Sequence, residues 1–528
     1  MTELRAAAPS GGFAPLRQKL FAVLWVATVI GNTGSFIRDV ASAWLMTDLS
    51  ASPAAVAMVQ AAATLPVFLL AIPAGVLSDI LDRRKFLIGI QVLLAAVSIC
   101  LMLLSAAGLQ SVASLIGLTF LGGVGAALMG PTWQAIVPEL VDKKDLKGAV
   151  ALNSLGINIA RAIGPALGGV VLASLGAAVT YGVDVISYVF VVAALLWWRR
   201  PAAGEDDLSE QFLGAFRAGL RYARASRELH VVLVRAFFFF MLASSVWALL
   251  PLVARTLLGG GAGFYGLLLG AVGLGAIGGA LLMPRLRERL GPDGMILMAA
   301  AVTAAVMAFL ALAPPQWAAL VALLALGAAW ISALTTLNGV AQSILPNWVR
   351  GRSLAVYLTV FNGAMTAGSL AWGGIASAIG VPLTLVMGAI GLVIVALAFH
   401  RLKLPKGDAD LVPSNHWPEP LTAAPVEYDR GPVLILIEYR IDPTERQAFL
   451  ACLTRLSADR RRDGAYDWGV SEDASDPAAM LEWFKVDSWA EHLRQHRRVS
   501  KAAADVQDEV LRFHRGDAPP IVRHLLSV

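Results

Sequence analysis

The sequence predicts an all-α polytopic membrane protein, with twelve transmembrane helices in two six-helix bundles and a small α+β domain behind them. Three observations predict it. Apolar stretches of bilayer-spanning length recur about twelve times before residue 406. The loops between them carry positive charge almost wholly on one side. Beyond residue 406 the pattern changes to short strands and capped helices. Hydrophobic residues make up 57% of the 528 and charged residues 15%, so an apolar excess over any soluble chain must be satisfied by lipid.

In chain order the first set of spans is read at 19–46, 54–77, 86–105, 115–137, 150–172 and 181–198. The second set is read at 231–253, 265–283, 295–312, 318–344, 354–376 and 383–402. With the N-terminus inside, the inner loops hold Arg83, Arg84, Lys85, Lys143, Lys144, Lys147, Arg285, Arg287, Arg289, Arg350 and Arg352, while the outer loops hold only Arg255. That bias places both termini in the cytoplasm and makes the span number even. The net charge of +5 therefore reports topology and not nucleic-acid binding. Residues 1–18 are a polar tail without a cleavage pattern, so the first span is expected to act as the insertion signal. Cys100 and Cys452 lie in different regions and imply no disulfide framework.

The expected organisation is a tail at 1–18, a six-helix bundle at 19–200, a cytoplasmic linker at 201–230, a second bundle at 231–406, a linker at 407–430 and a domain at 431–528. In the first linker, Phe212, Phe216, Leu220 and Tyr222 alternate with Arg217, Arg221, Arg224 and Arg227. This spacing suits an amphipathic helix on lipid headgroups or a solvated linker helix, and both readings stay open. A weak repeat relates the bundles: Pro138 answers Pro346, and Gly168–Gly169 answer Gly373–Gly374. Repeated halves put a transport site at their interface near the midplane. In the last domain a strand at 431–441 is followed by a helix capped by Asp442, two strands, a helix opened by Ser488 with Glu491, and a closing strand. The order βαββαβ is that of a ferredoxin-like domain.

Buried ionisable residues are the candidates for chemistry, because each costs several kcal/mol in the hydrocarbon unless paired or wetted. Arg161 lies about 20 Å from the inner edge of its span, and Asp184 sits at a similar depth in the next. An Arg161–Asp184 ion pair follows. Arg38 and Asp39 lie in the outer half of the first span, and Arg38, Asp39, Arg161 and Asp184 are expected to form one charge network. One carboxylate in it is a candidate proton carrier; a permanently paired structural bridge is the alternative. Asn32, Trp133, Gln134, Trp247, Trp330, Asn338, Gln342 and Asn362 are the candidate lining of an amphipathic cavity, with helix packing as the alternative for Trp133 and Trp330. His492 and His496 stand one turn apart without an evident third ligand, so no metal is expected, nor any cofactor. No phosphate-binding GxxxxGK loop occurs, which disfavours ATP-driven transport.

Residues 75–85, GVLSDILDRRK, resemble the signature loop of the major facilitator superfamily: Gly75, Leu77, Asp79, Arg83, Arg84 and Lys85 match, and Ile80 departs where the family carries Arg. The resemblance implies a gate at the inner mouth held by Asp79; a simple topology anchor is the bland reading. Gly164, Pro165, Gly168 and Gly169 in ARAIGPALGG resemble the GPxxGG motif of drug–proton antiporters. Residues 13–406 as a whole resemble the transmembrane secretion effector branch, and residues 431–528 are similar to antibiotic-biosynthesis-monooxygenase domains. These resemblances imply a non-enzymatic, proton-coupled exporter of a small amphipathic molecule (siderophore, drug or secondary metabolite) in the bacterial cytoplasmic membrane. The implied partners are the substrate, the proton gradient, membrane lipid and a second copy paired through the last domain. A membrane-tethered enzyme or ligand sensor, with the activity in the last domain, is the alternative.

Overall fold

The structure is a computed structural model. It describes residues 13–198 and 212–527, apart from residue 347 and several positions between 408 and 423, and it leaves aside the side chains of residues 72, 76, 79, 80, 143 and 212–218. The expectations for Asp79, Phe212, Phe216 and Arg217 fall outside the described residues. Among the described residues, ten helices are long and apolar enough to cross a membrane. They are α1 (Lys19–Leu49), α2 (Pro53–Ile80), α3 (Arg83–Ala106), α4 (Val112–Leu140), α5 (Leu146–Trp197), α7 (Arg227–Leu252), which continues into a π-turn at Val253–Leu257, α8 (Ala262–Ala311), α9 (Gln316–Ser343), α10 (Arg350–Ile379) and α11 (Val381–His400). A short helix, α6 (Phe212–Ala225), precedes α7.

Two of these helices are too long for one span. The 52 residues of α5 and 50 of α8 would measure about 75 Å as straight helix, more than twice the bilayer core. Each breaks at a glycine: Gly176 has φ 81° and ψ 174°, and Gly291 has φ 62° and ψ 177°. Gly380, which separates α10 from α11, adopts φ 86° and ψ 159°. That conformation is open almost only to glycine. Each long helix is thus two spans joined by a turn, and the spans number twelve.

Residues cluster into two compact units. The first comprises 1–205, 233–338 and 357–403; the second comprises 206–232, 339–356 and 404–528. In the first unit α1 packs along both limbs of α5. Space for a side chain is missing at the crossings: a Cβ on Gly164 would lie 2.7 Å from Phe36 Cβ, and one on Gly168 would lie 3.0 Å from Ile37 Cα. Small residues there let the backbones approach and gain dispersion contact in place of a hydrophobic drive that lipid does not supply. Where the start of α1 meets the ends of α4 and α5, Phe21, Leu24, Trp133, Ile136, Leu195 and Trp198 form one buried cluster.

The second unit holds a four-stranded antiparallel sheet, β1 (Val433–Arg440), β2 (Asp467–Asp473), β3 (Asp476–Val486) and β4 (Ile521–Leu526), in the order β2-β3-β1-β4. This is the order that βαββαβ connectivity yields when each helix crosses back over the sheet. Strand β1 alternates burial, so Val433, Ile435, Ile437 and Tyr439 meet Phe449, Leu453 and Leu456 of α12 (Arg446–Asp463). Glu482 is fully buried on β3 yet satisfied: it takes Arg460 at 3.2 Å, the Tyr439 hydroxyl at 3.0 Å and the Trp468 indole N–H at 3.0 Å. The helix expected after Ser488 divides into α13 (Trp489–Arg498) and α14 (Lys501–Leu511), because Ser500 caps a new start by accepting from the Ala503 amide. Ser488 does cap α13, but the Glu491 side chain turns to Arg221, Arg494 and Arg498 and closes no reciprocal box. Its pairing with Arg221 and the burial of Tyr222 against Trp348 give the described part of α6 protein contacts within this unit, while Arg224 remains exposed.

Candidate functional site

A charge network spans α1, α3 and the second limb of α5. Arg38 donates from Nε and Nη2 to Asp39 Oδ1 at 3.3 and 3.1 Å and from Nη1 to the Tyr188 hydroxyl at 2.9 Å. Its Nη1 also lies 3.6 Å from Asp184 Oδ2. Asp184 is fully buried and accepts from Ser98 Oγ at 2.6 Å and Ser187 Oγ at 3.4 Å. Asp39 is different: its side chain is 56% exposed. One guanidinium therefore serves two carboxylates, one dry and hydrogen-bonded, the other wet. Holding Asp184 charged in that position depends on Arg38 and the two hydroxyls.

Gly34 makes the arrangement possible. A Cβ there would stand 2.1 Å from Ser187 Oγ and 2.8 Å from Asp184 Oδ1, so only glycine lets α1 come close enough to seat the pair. Ser98, Ser187, Tyr188 and Gly34 escaped the sequence reading. Asp184, Ser187 and Tyr188 are spaced i, i+3, i+4, a polar stripe on one helix face that could have exposed three of the partners.

The expected Arg161–Asp184 pair does not form. Arg38 takes that place, and Arg161 makes no ion pair or hydrogen bond among the described residues. Depth alone had suggested the pair; helix phase forbids it. On the first limb of α5, Ala162, Ala166 and Gly169 touch α8, Gly164 and Gly168 touch α1, and Ile163, Leu167 and Val170 are exposed. At 100° per residue Arg161 falls between the two contact faces, opposite the exposed one, toward the bundle interior.

The GPxxGG glycines divide between two partners. Gly164 and Gly168 seat α1 inside the first half, whereas Gly169 faces the second half: a Cβ on it would be 2.6 Å from Gly266 Cα. The crossing continues through Gly263 near Ala173, Gly270 near Ala166 and Gly273 near Ala162. Other contacts between the halves are Thr64 with Thr366 at 2.7 Å, the Ala54 amide to Ser377 Oγ at 3.1 Å, Trp44 stacked on Tyr265, and Arg255 paired with Asp48.

At the inner end, Gly75 has open space around it. Arg83 donates to the Ser78 carbonyl at 3.2 Å, the Ala135 carbonyl at 3.3 Å and Glu139 at 2.7 Å. Arg84 takes the carbonyls of Leu195 and Leu196 at the end of α5 at 2.8 and 2.9 Å. Both arginines thus satisfy C-terminal carbonyls and complement helix dipoles. Lys85 contributes its amide to the Asp82 cap of α3.

Of the candidate cavity residues, Trp247 and Trp330 meet in an aromatic cluster with Phe240 and Phe361, ring centroids 4.9 Å apart for the tryptophan pair. Trp133 is a correction. It is buried in the α1–α4–α5 cluster of the first half, with its indole N–H on Asn153 Oδ1 at 2.8 Å, so it packs helices and lines nothing. Asn362 is buried beside Phe361 and donates to the Leu358 carbonyl of its own helix. Asn32 and Asn338 are half-buried, and Gln134 and Gln342 are exposed, apart from this cluster.

Residues 10–528 match the family model described as transmembrane secretion effector. The match runs past the 13–406 stretch on which the sequence resemblance rests. The chain is 24% identical over 265 residues to a staphyloferrin A transporter of Staphylococcus aureus, covering 50% of this chain and 66% of that one. It is 31% identical over 269 residues to the enterobactin exporter EntS of Salmonella choleraesuis, with 50% and 62% covered. With the multidrug efflux pump Tap of Mycolicibacterium fortuitum it shares 26% over 402 residues, 74% and 96%. The chain thus spans just under two thirds of the length of the first of these relatives. Among solved structures, a bacterial homologue of the human lysosomal transporter Spinster superposes with a TM-score of 0.58 at 16% identity, covering 74% of this chain and 97% of that one. A POT family peptide transporter superposes at 0.60 with 14% identity, 77% and 99% covered. At that identity the likeness speaks to the fold: two six-helix halves of the major facilitator kind.

Proposed function

Since the chain belongs to the transmembrane secretion effector family of the major facilitator superfamily, we propose that it is a secondary exporter of the bacterial cytoplasmic membrane. It moves a small amphipathic molecule outward by alternating access, in exchange for protons, with both termini in the cytoplasm. The relatives named for siderophore and drug export support this direction and cargo class.

The observation that carries the reading is the seam between the halves. Its core is glycine against glycine, so the two helices can separate without unmeshing large side chains. Breaking Thr64–Thr366 and Arg255–Asp48 would free the same edge. The cargo is an apolar body bearing an anionic group: the aromatic cluster around Trp247 and Trp330 supplies the apolar surface, and Arg161, inward-facing and without a protein partner among the described residues, supplies the cation. Asp184 is the proton carrier. When it is neutral, Arg38 loses one of its two carboxylates and the α1–α5 contact through Gly34 loosens. Arg83 and Arg84 anchor the inner loop of the first half, and Asp79 belongs to the gate in this proposal. Two copies pair through the last domain, whose edge strand β4 leaves Ile521, Val522 and Leu525 exposed; light scattering on the detergent-solubilised protein tests that point.

The transport reading is tested in everted vesicles supplied with a catecholate siderophore, a citrate-type siderophore and a macrolide. Accumulation of at least one probe, several-fold above vesicles lacking the protein and abolished by a protonophore, is expected. Uptake indifferent to the gradient for all three would refute the coupling.

A further inference from the structure

Three histidines far apart in sequence meet in the second unit. His492 and His496 come from successive turns of α13, and His524 comes from β4. Each offers a ring nitrogen within 4.8 Å of the other two. The Nε2 atoms of His492 and His496 are 3.2 Å apart. Two imidazoles bound to one tetrahedral ion at about 2.0–2.1 Å would hold their nitrogens about 3.3 Å apart, so this edge of the site is already at ligating distance. Only the His524 ring has to turn in.

We propose that His492, His496 and His524 form a binding site for a borderline divalent transition metal, of which zinc is the type ion. Three imidazoles suit zinc, copper or nickel over calcium or magnesium, which demand oxygen ligands. The rings are held from outside by aromatic neighbours: Trp417 packs edge-on to His496 at 4.9 Å, and Trp489 lies against both His492 and His524. His492 is 2% exposed, whereas His496 and His524 are half-buried.

The His492 ring is packed against both other imidazoles, with ring centroids 4.6 Å from each. Its Nδ1 is buried without a hydrogen bond, and the fully buried Gln495 side chain beside it also has both amide atoms unsatisfied. A metal on Nε2 fixes the proton on Nδ1, where the Gln495 carbonyl oxygen is the acceptor at hand. This is how metal-bound imidazoles are usually oriented. Arg460 adds positive charge nearby, but its guanidinium is neutralised by Glu482 at 3.2 Å.

The test uses the full chain in detergent, purified on a tag without histidine. Zinc is titrated against a chelating dye, and cobalt(II) is added separately as a spectroscopic probe. One ion per chain is expected, with the intense visible band of four-coordinate cobalt. His524→Ala and His496→Ala, each placed at a half-buried ring, should weaken zinc at least about tenfold, while His514→Ala, on a ring outside the cluster, should not change it. The cobalt band of the unmutated chain needs no variant and guards against misfolding. Absence of a stoichiometric ion, or zinc binding that survives His524→Ala and His496→Ala unchanged, would overturn the proposal and leave a hydrogen-bonded imidazole cluster.

Discussion

The two six-helix halves share a crossing and fill it differently. Asp184 stands eight residues beyond the turn at Gly176, and Gly388 stands eight beyond the turn at Gly380. Ser98 is fifteen residues past the start of α3, and Met307 is fifteen past Pro292, where the second limb of α8 begins. In the first half Gly34 admits Asp184 and Ser187, and Ser98 donates to the carboxylate. In the second half Gly388 admits Ser245, and Met307 fills the place of Ser98: a Cβ on Gly388 would be 2.6 Å from Met307 Cε and 2.8 Å from Ser245 Oγ. One scaffold position thus carries a buried acid in one half and a soft apolar contact in the other. The proposed function assigns the charge chemistry to the first half and the apolar surface to the second.

The sharpest break in this contrast is Asp184→Asn. It keeps the volume and the Ser98 contact but removes the charge, and gradient-driven accumulation should fall at least about tenfold while the protein still folds. Next come paired glycine substitutions. Gly34→Ala drives a methyl into Ser187 and Asp184 and should cost transport and thermal stability together. Gly388→Ala meets the far end of a flexible methionine and should cost about two- to threefold at most. Equal losses at the two positions, measured side by side in vesicles, would erase the difference between the halves. Arg161→Ala should raise the apparent KM for an anionic probe while leaving a macrolide, which carries no anionic group, little changed, and Arg161→Lys should restore part of the loss.

Much of this was legible in the chain. Hydropathy yields twelve spans because lipid forces every span into helix. Asp184 and Arg38 stand out as charges in apolar runs, and the last domain follows from its strand and cap pattern. Pairing was not legible. Arg161 and Asp184 share a depth, yet which side chains meet depends on the phase of three helices packed through Gly34 and Gly164, and no one-dimensional spacing encodes that. Trp133 reads as a cavity residue until Asn153 is found beneath its N–H. His524 lies 28 residues beyond His496 on a strand, too far for any spacing rule, and only the sheet brings it to α13.

The smallest expected effect lies in the second unit, where a buried acid occurs without a transport role. Burial pushes the Asp463 carboxyl, at the C-terminal end of α12, up to about 6, and Arg462 and Arg498 only partly pull it back. The folded state then holds its proton more tightly than the unfolded chain. Stability from this group is full below pH 4 and is lost as pH rises through about 6. Asp463→Asn should therefore stabilise the domain at pH 7.5, by at most about 3 kcal/mol, with the gain vanishing near pH 4. Amide hydrogen exchange over residues 433–526 reads it without separating the domain from the spans.

The most direct test of the account is proton movement in everted vesicles. With the interior acidified and a pH-sensitive dye trapped inside, adding a transported siderophore should discharge the gradient in vesicles carrying the unmutated chain. Vesicles carrying Asp184→Asn should bind the siderophore and show no discharge. Equal discharge in both would place the coupling carboxylate elsewhere and contradict the assignment of charge chemistry to the first half.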